Sequence, residues 1–340
     1  WKRQKQDRAP LVLLAYSAEG ELLGYWPFVE RSGLLGSKGL WPFVYDEANY
    51  HFPTCVQSVI CHMVNALEGL ISSFLFVWLP QIPQTFWSAY LRESVETGDK
   101  LTITRCARSS CLVEPEKEQN FKEFWDDKIG PKSRKSFRYD ERSLAEQGKI
   151  SWQTCDSLEE VRLVMPATCL VEVASSKTLE NAGLYSIRGK RGFFFELLPE
   201  LAESSRVRLS VLRVDDQPIA WQLELLAPGR SYLHHLAYDE GWKKYSPGKQ
   251  LLKRSMERCW KEGRVLDFLP APFAYKERYA TSSESAQELH WIRRSLRGRI
   301  ARYLIRWNME IRQKMRDRSP GLAAAVGREE VSKANARNLE

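Results

Sequence analysis

Residues 238–276 read YDEGWKKYSPGKQLLKRSMERCWKEGRVLDFLPAPFAYK. Tyr238-Asp239 closes a run of strand type, and Ser246-Pro247-Gly248 opens a helix predicted over 247–261: Ser246 suits the cap, Pro247 the first helical position. Leu251, Leu252, Met256, Cys259 and Trp260 fall on one apolar stripe, with Lys253, Arg254, Glu257 and Lys261 outside it. Gly263 ends the helix, and Val265–Phe268 is a buried strand. Gly248, lacking a side chain, is expected to let an anion approach the amides of the first turn, with Lys243, Lys244 and Lys249 adding positive charge.

Upstream, three strand-type runs, 207–214, 219–227 and 231–237, are joined by Asp215-Asp216-Gln217-Pro218 and Pro228-Gly229-Arg230, both strong turn signals. Before them, 150–154 reads as a strand and 157–179 as a helix that Pro166 should kink or break; 193–203 is a further helix. The first part of the chain opens with a hairpin turning at Ala18-Glu19-Gly20, followed by a helix over 55–70, a strand over 73–79, a helix over 84–97 and a strand over 101–105. A charged helical stretch from Glu116 to Gln147, interrupted at Gly130-Pro131, stops at Gly148.

The order meander, loop, helix, strand, with Tyr238-Asp239, Ser246-Pro247-Gly248, Leu251-Leu252, Gly263, Asp267-Phe268 and Tyr275-Lys276 at their spacing, resembles the GNAT acyltransferases associated with cellulose and envelope polysaccharide biosynthesis. Those are related in turn to the Fem-type peptidoglycan aminoacyl transferases. Gly24-Tyr25-Trp26-Pro27-Phe28 and the basic run 132–148 fit that family more loosely. The resemblance implies an α/β (α+β) fold of tandem GNAT-like halves, each a mixed, mostly antiparallel sheet flanked by helices. The expected divisions are 1–148 for the N-terminal half ending in a basic helix, 149–292 for the catalytic half, 293–318 for a basic amphipathic helix, and 319–340 for a flexible tail.

The same resemblance implies acetyl-coenzyme A or another acyl-coenzyme A as donor, its pyrophosphate on Lys244, Tyr245, Ser246, Pro247, Gly248, Lys249 and Gln250. The strand 231–237 would offer an amide to the donor carbonyl. Candidate catalytic residues are His235 for proton transfer, Tyr275 as the acid for the departing thiolate, and Asp239 and Lys276 beside them. His234 and His235 adjoin in a strand, so alternation sends them to opposite faces and one at most addresses the cleft. The bland readings are a hydrogen-bonded sheet histidine, a packing tyrosine and an aspartate that caps a turn. The sequence departs from the family in having one glycine in the turn and Pro270-Ala271-Pro272 after the Asp-Phe strand.

The net charge of +8 resides in one place: between Arg293 and Arg318 ten Arg or Lys face two acids, and the rest of the chain sums to zero. General nucleic-acid binding by the body of the protein loses its support, leaving tRNA only if the donor is an aminoacyl-tRNA. Apolar residues at 296, 300, 303, 304, 307 and 311 mark one helical face. Docking on the catalytic body is its first reading, contact with anionic lipid through Tyr303 and Trp307 its second, and RNA its third. Seven scattered cysteines without a C-x-x-C pair read as reduced, mostly buried thiols, with no metal expected, and point to the cytoplasm, association with the inner face of the membrane being expected only through 293–318. The chain begins with Trp1, so a preceding N-terminus is expected.

No nucleophile elbow, Walker loop or dinucleotide glycine motif is present. The resemblance implies an acyl-coenzyme-A-dependent N- or O-acyltransferase acting on a sugar or other cell-envelope or polysaccharide-related acceptor. A Fem-like aminoacyl-tRNA-dependent transferase and a catalytically silent GNAT-like binding module are the alternatives.

Overall fold

A computed structural model describes residues 10–32, 38–43, 50–98, 100–106, 109–116, 118–180, 182–186, 188–270 and 274–318. The chain forms two units, Ser110–Ser283 and a discontinuous one made of Trp1–Ser109 with Glu284–Glu340. The mixed α/β class expected from the sequence is observed: each unit is a seven-stranded sheet with flanking helices, an arrangement consistent with tandem GNAT-like halves.

The discontinuous unit contains β1 (Pro10–Tyr16), β2 (Leu22–Ser32), β3 (Lys38–Pro42), β4 (Thr54–Cys55), α1 (Ile60–Leu70), β5 (Phe76–Pro83), α2 (Gln84–Phe86), a π-helical turn at Trp87–Leu91, α3 (Arg92–Thr97) and β6 (Leu101–Cys106). The opening hairpin turns where the sequence places it, with Gly20 at φ +86° and the Ser17 hydroxyl accepting from the amides of Glu19 and Glu21. Late in the chain, β14 (Ala286–Ile292) enters this sheet between β5 and β6, antiparallel to both. One face buries Met63, Val64, Leu67, Phe86, Trp87 and Leu91 of the helices; against the other lies α11 (Leu296–Arg318).

The other unit contains β7 (Ser110–Val113), α4 (Phe121–Lys128), α5 (Pro131–Ala145), β8 (Ile150–Cys155), α6 (Leu158–Val173), α7 (Ser176–Leu179), α8 (Arg188–Glu203), β9 (Val207–Val214), β10 (Gln217–Ala227), β11 (Arg230–Tyr238), a 3-10 turn at Glu240–Tyr245, α9 (Pro247–Glu262), β12 (Val265–Asp267), α10 (Ala274–Tyr279) and β13 (Ser282–Glu284). The sheet order is β13-β7-β12-β11-β10-β9-β8. The meander β9-β10-β11 is antiparallel, and β11 pairs in parallel with β12 because α9 carries the chain across between them. Helix α9 and α4 cover one face, with Met256, Cys259 and Trp260 packed on Phe124, Trp125 and Leu233; α6 packs against β9, β10 and β11.

The division between units differs from the one expected at Gly148. The basic helix α5 belongs to the second unit, because its Leu144 is fully buried with Leu212, Val214 and Leu251. Strand β7 belongs there too, since Val113 and Leu112 pair with Leu266 and Asp267. Pro166 does not break α6, which runs on to Val173 from a Ser157/Glu160 capping box. The cysteines are free, as expected, but only Cys155 and Cys259 are buried. The tail, 319–340, and Ala271-Pro272 lie outside the described residues.

Glu288 anchors β14 in the middle of the first sheet. It accepts hydrogen bonds from Trp78 Nε1 at 2.8 Å and from Arg105, and its Oε1 lies 3.1 Å from His290 Nε2. Burial raises its carboxyl, but the hydrogen bonds from His290, Arg105 and Trp78 outweigh this and hold it at about 2. A lowered carboxyl stabilises the fold fully above its unfolded value, near 4.5, and that contribution disappears as pH falls to about 2. Urea titrations should therefore show wild type well above Glu288→Gln at pH 6, the two converging as the pH is lowered toward 2.

Candidate functional site

The site is built on the register of β10 and β11. Leu223 pairs with His235 and Glu224 with Leu233, so His234 is an extra residue that stands out of the ladder as a β-bulge. The bulge resets alternation. On one side of it Leu233 faces α9; beyond it Leu236 does, lying against Gly248. The expectation that the two histidines face opposite ways fails for this reason. The His234 ring lies 5.8 Å from Phe194 of α8, and His235 reaches Glu172 of α6, so both address the helices of the α6 face.

His235 is buried, and its Nε2 lies 2.8 Å from Glu172 Oε2, with Nδ1 3.4 Å from Lys177 Nζ. Its ring sits 5.0 Å from Trp221, which stacks on Tyr185. Glu172 closes the last turn of α6, and its other oxygen accepts from the Tyr185 amide at 2.6 Å. Gly183 leaves room for that carboxylate: a Cβ there would stand 2.5 Å from Oε1. Burial pushes the Glu172 carboxyl up, opposed by the Tyr185 amide and the charges of Lys177 and Lys190. With Nε2–H donating to the carboxylate, Nδ1 is the acceptor of the ring and faces the Lys177 ammonium. Neither Glu172 nor Lys177 is among the residues expected from sequence. The available signal is a carboxylate in the otherwise apolar run Cys169-Leu170-Val171-Glu172-Val173.

Lys276 is buried on α10 and donates to the carbonyls of Phe268 at 2.6 Å and Leu269 at 2.9 Å. Desolvation lowers it to about 8; Cys111 and Asp267 raise it, and the charge of Lys177 pushes it further down, which places both lysines in one electrostatic neighbourhood. The carbonyls it meets are aimed by Leu269, a non-glycine residue at φ +60°. That conformation is held by Asp267, fully buried, which accepts from the Leu269 amide at 2.8 Å, from Arg230 at 3.2 Å and from the Ser110 hydroxyl. Tyr275, by contrast, is half-exposed; burial of its hydroxyl pushes it up to about 12, and its ring lies 6.4 Å from Phe268.

The turn before α9 is built differently from the sequence reading. Ser246 adopts the left-handed conformation, φ +52°, and its side chain makes no capping bond; its hydroxyl accepts from Lys249 Nζ at 3.2 Å. Gly248 is buried against β11, where a Cβ would meet Leu236 at 2.9 Å and Tyr238 at 3.1 Å. Its missing side chain therefore lets helix and strand approach each other rather than opening a path for an anion. Tyr245, Pro247 and Gln250 are buried, Gln250 donating to the Tyr245 carbonyl at 2.9 Å. Lys244 and Lys249 are exposed, Lys244 standing 4.7 Å over the Tyr245 ring. Asp239 accepts from the Gly241 amide at 2.8 Å and caps the 3-10 turn. The structure thus brings His235 to Glu172 and Lys177, binds Lys276 to the Phe268 and Leu269 carbonyls, and gives Asp239 a local structural bond.

On the α9 face a cleft of about 330 Å³ is lined by Trp152, Ser210, Arg254 and Arg258. It is separated by the sheet from His235. Among the described residues no group of three or more His, Cys, Asp or Glu is placed to hold a metal ion.

Residues 131–277 match the family model described as Acetyltransferase (GNAT) domain, and the match falls within the second unit. Comparison with curated proteins gives no match. Among solved structures, the chain is similar to the C-terminal domain of a putative lysylphosphatidylglycerol synthetase from Agrobacterium fabrum, at 12% identity, TM-score 0.56, over 82% of this chain and 83% of that one. It is also similar to L-PGS from Bacillus licheniformis, at 12% identity, TM-score 0.53, over 84% and 85%. A third is FemX, at 11% identity, TM-score 0.54, over 86% and 90%. At these identities the likeness is one of fold.

Replacing Asp267 by Ala strips Arg230, Ser110 and the Leu269 amide of a buried acceptor. Denaturant unfolding should show a loss of about 3–5 kcal/mol, the range for breaking a buried charged pair from one side. A loss below about 1 kcal/mol would show that Asp267 does not hold this corner.

Proposed function

We propose that the second unit is an acyltransferase that moves an acyl group from a coenzyme A thioester to an amine or hydroxyl of a cell-envelope or polysaccharide-related acceptor. The observation that carries this reading is the β-bulge at His234, which takes a main-chain group out of the ladder next to the buried His235–Glu172 pair. A main-chain amide turned at such a bulge is suited to polarise a carbonyl. The first turn of α9 packs on Leu236 and Tyr238, directly beyond the bulge, so a donor with its carbonyl at the bulge would pass beside exposed Lys244 and Lys249, which can meet its phosphates.

In this reading the donor supplies the activated acyl group, and the chain's own residues manage protons and charge. Glu172 fixes the tautomer of His235, whose Nδ1 takes the proton of the attacking amine or hydroxyl as Lys177 turns from it to the developing negative charge. Lys177 and Lys276 offset the negative charge that develops beside them. Tyr275 keeps its proton throughout the neutral range and gives it to the departing thiolate. Asp239 serves by holding the turn that leads into α9.

One observation favours a second donor. Pro247 has no amide, those of Lys249 and Gln250 close on the Ser246 carbonyl at 3.0 and 3.3 Å, and Gly248 is buried against β11, so the turn offers an anion little main chain. This is sparse for a pyrophosphate, and it suits a Fem-like reaction with an aminoacyl-tRNA.

Acetyl-coenzyme A at about 100 times its Kd should stabilise the protein by about 2.7 kcal/mol, a rise in Tm of a few degrees. Glu172→Gln should keep that shift and lower turnover about a hundredfold, with KM little changed. No shift at millimolar acetyl-coenzyme A, together with amino-acid transfer from charged tRNA, would replace the thioester by the second donor. Unchanged turnover in Glu172→Gln would remove His235–Glu172 from the mechanism.

A further inference from the structure

Helix α11 has two apolar faces, and the one legible in the sequence is not the one that docks. Ala301 is fully buried, and Ile305 and Met309 pack with it against Leu75, Phe76, Ile103 and Ile292 of the sheet. Gly298 completes this contact face by close approach of backbone, since a Cβ there would meet the Arg293 carbonyl at 1.9 Å. Leu296, Ile300, Tyr303, Trp307 and Ile311 are exposed, by 76%, 42%, 69%, 55% and 36%. At about 100° per residue these five span roughly 80° of the helix circumference, centred about 160° from the docked residues. The stripe expected to hold the helix on the protein points away from it.

We propose that this outer face of α11 rests on an anionic lipid surface. Charge decides between occupants. Arg299 and Arg306 line one edge of the stripe and Arg297 the other, all exposed, and Lys314 continues the stripe; Glu310 is the acid among them. A second copy of the chain brought face to face would set these cations against their own kind. An RNA would pair with the arginines but gain nothing from Leu296, Ile300 and Ile311. An anionic bilayer meets both demands: aliphatic side chains enter the acyl boundary, Tyr303 and Trp307 sit at headgroup level, and the arginines meet phosphates. At about 1.5 Å per residue the helix lies flat over about 35 Å. No helix among the described residues is long and apolar enough to cross a membrane, so contact through this helix is surface attachment. The inference is independent of the donor and acceptor chemistry proposed above.

The test is flotation of the full chain with vesicles of phosphatidylglycerol and phosphatidylcholine, compared with phosphatidylcholine alone, at low and high salt. Binding to the anionic vesicles that falls with salt is expected. Tyr303→Asp/Trp307→Asp, and separately Arg299→Glu/Arg306→Glu, should each weaken partitioning by about tenfold or more. Leu296→Ser/Ile300→Ser serves as a milder apolar variant, and an unchanged Tm in all three establishes that they fold. Absence of wild-type flotation, equal binding to both vesicle types, or variants that float as well as wild type would overturn the proposal. So would a dimer in light scattering, or RNA retention, that the Tyr303/Trp307 variant abolishes while flotation persists.

Discussion

The buried carboxylate of Asp267 ties together the parts of the second unit that matter for chemistry. It stands at the end of a three-residue strand, and its acceptor sites draw in Ser110 from β7, Arg230 from β11 and the amide of Leu269. A buried charge is tolerable only when such partners surround it. Here they also fix the order of three neighbouring strands. The left-handed Leu269 that results turns two carbonyls toward Lys276 and holds its buried side chain at this corner.

A second constraint, the bulge at His234, decides which face the site occupies. One extra residue in β11 lets Leu233 and Leu236 both serve the α9 side while His235 turns to α6. The ladder is interrupted in the same place that brings His235 to Glu172. A comparable polar knot lies across the sheet, where Glu224 accepts from Gln222, Ser231, Ser255 and Arg258 and fastens α9 to β10 and β11. With α9 held there, Gly248 is needed for contact with the strand rather than for access by a ligand.

In the discontinuous unit, the strand that completes the sheet arrives after the whole second unit has been threaded. Glu288 is the polar centre that this late strand brings to Trp78, Arg105 and His290. Directly after it, α11 covers a sheet face with Ala301, Ile305 and Met309, leaving Tyr303 and Trp307 outside. The charge that gives the chain its basic balance is thereby displayed beside an apolar stripe.

By itself the sequence determined the elements whose signals are local. The Asp215–Pro218 and Gly229 turns, the amphipathic helix from Pro247 with its Leu251–Trp260 stripe, the Gly263 stop and the opening hairpin all depend on residues within a few positions of one another, and the mixed α/β class follows from their order. His235 and Lys276 became candidates in the sequence through the resemblance that the residues around them carry. Tertiary structure alone decided the rest, because it depends on partners distant in sequence. Glu172 and Lys177 become site residues only when α6 and α7 lie on β11. The bulge is defined by the register of two strands. Strand β14 finds its place across some two hundred residues, and which apolar face of α11 is buried is set by the shape of the sheet it meets, since periodicity marks a face without saying what will cover it.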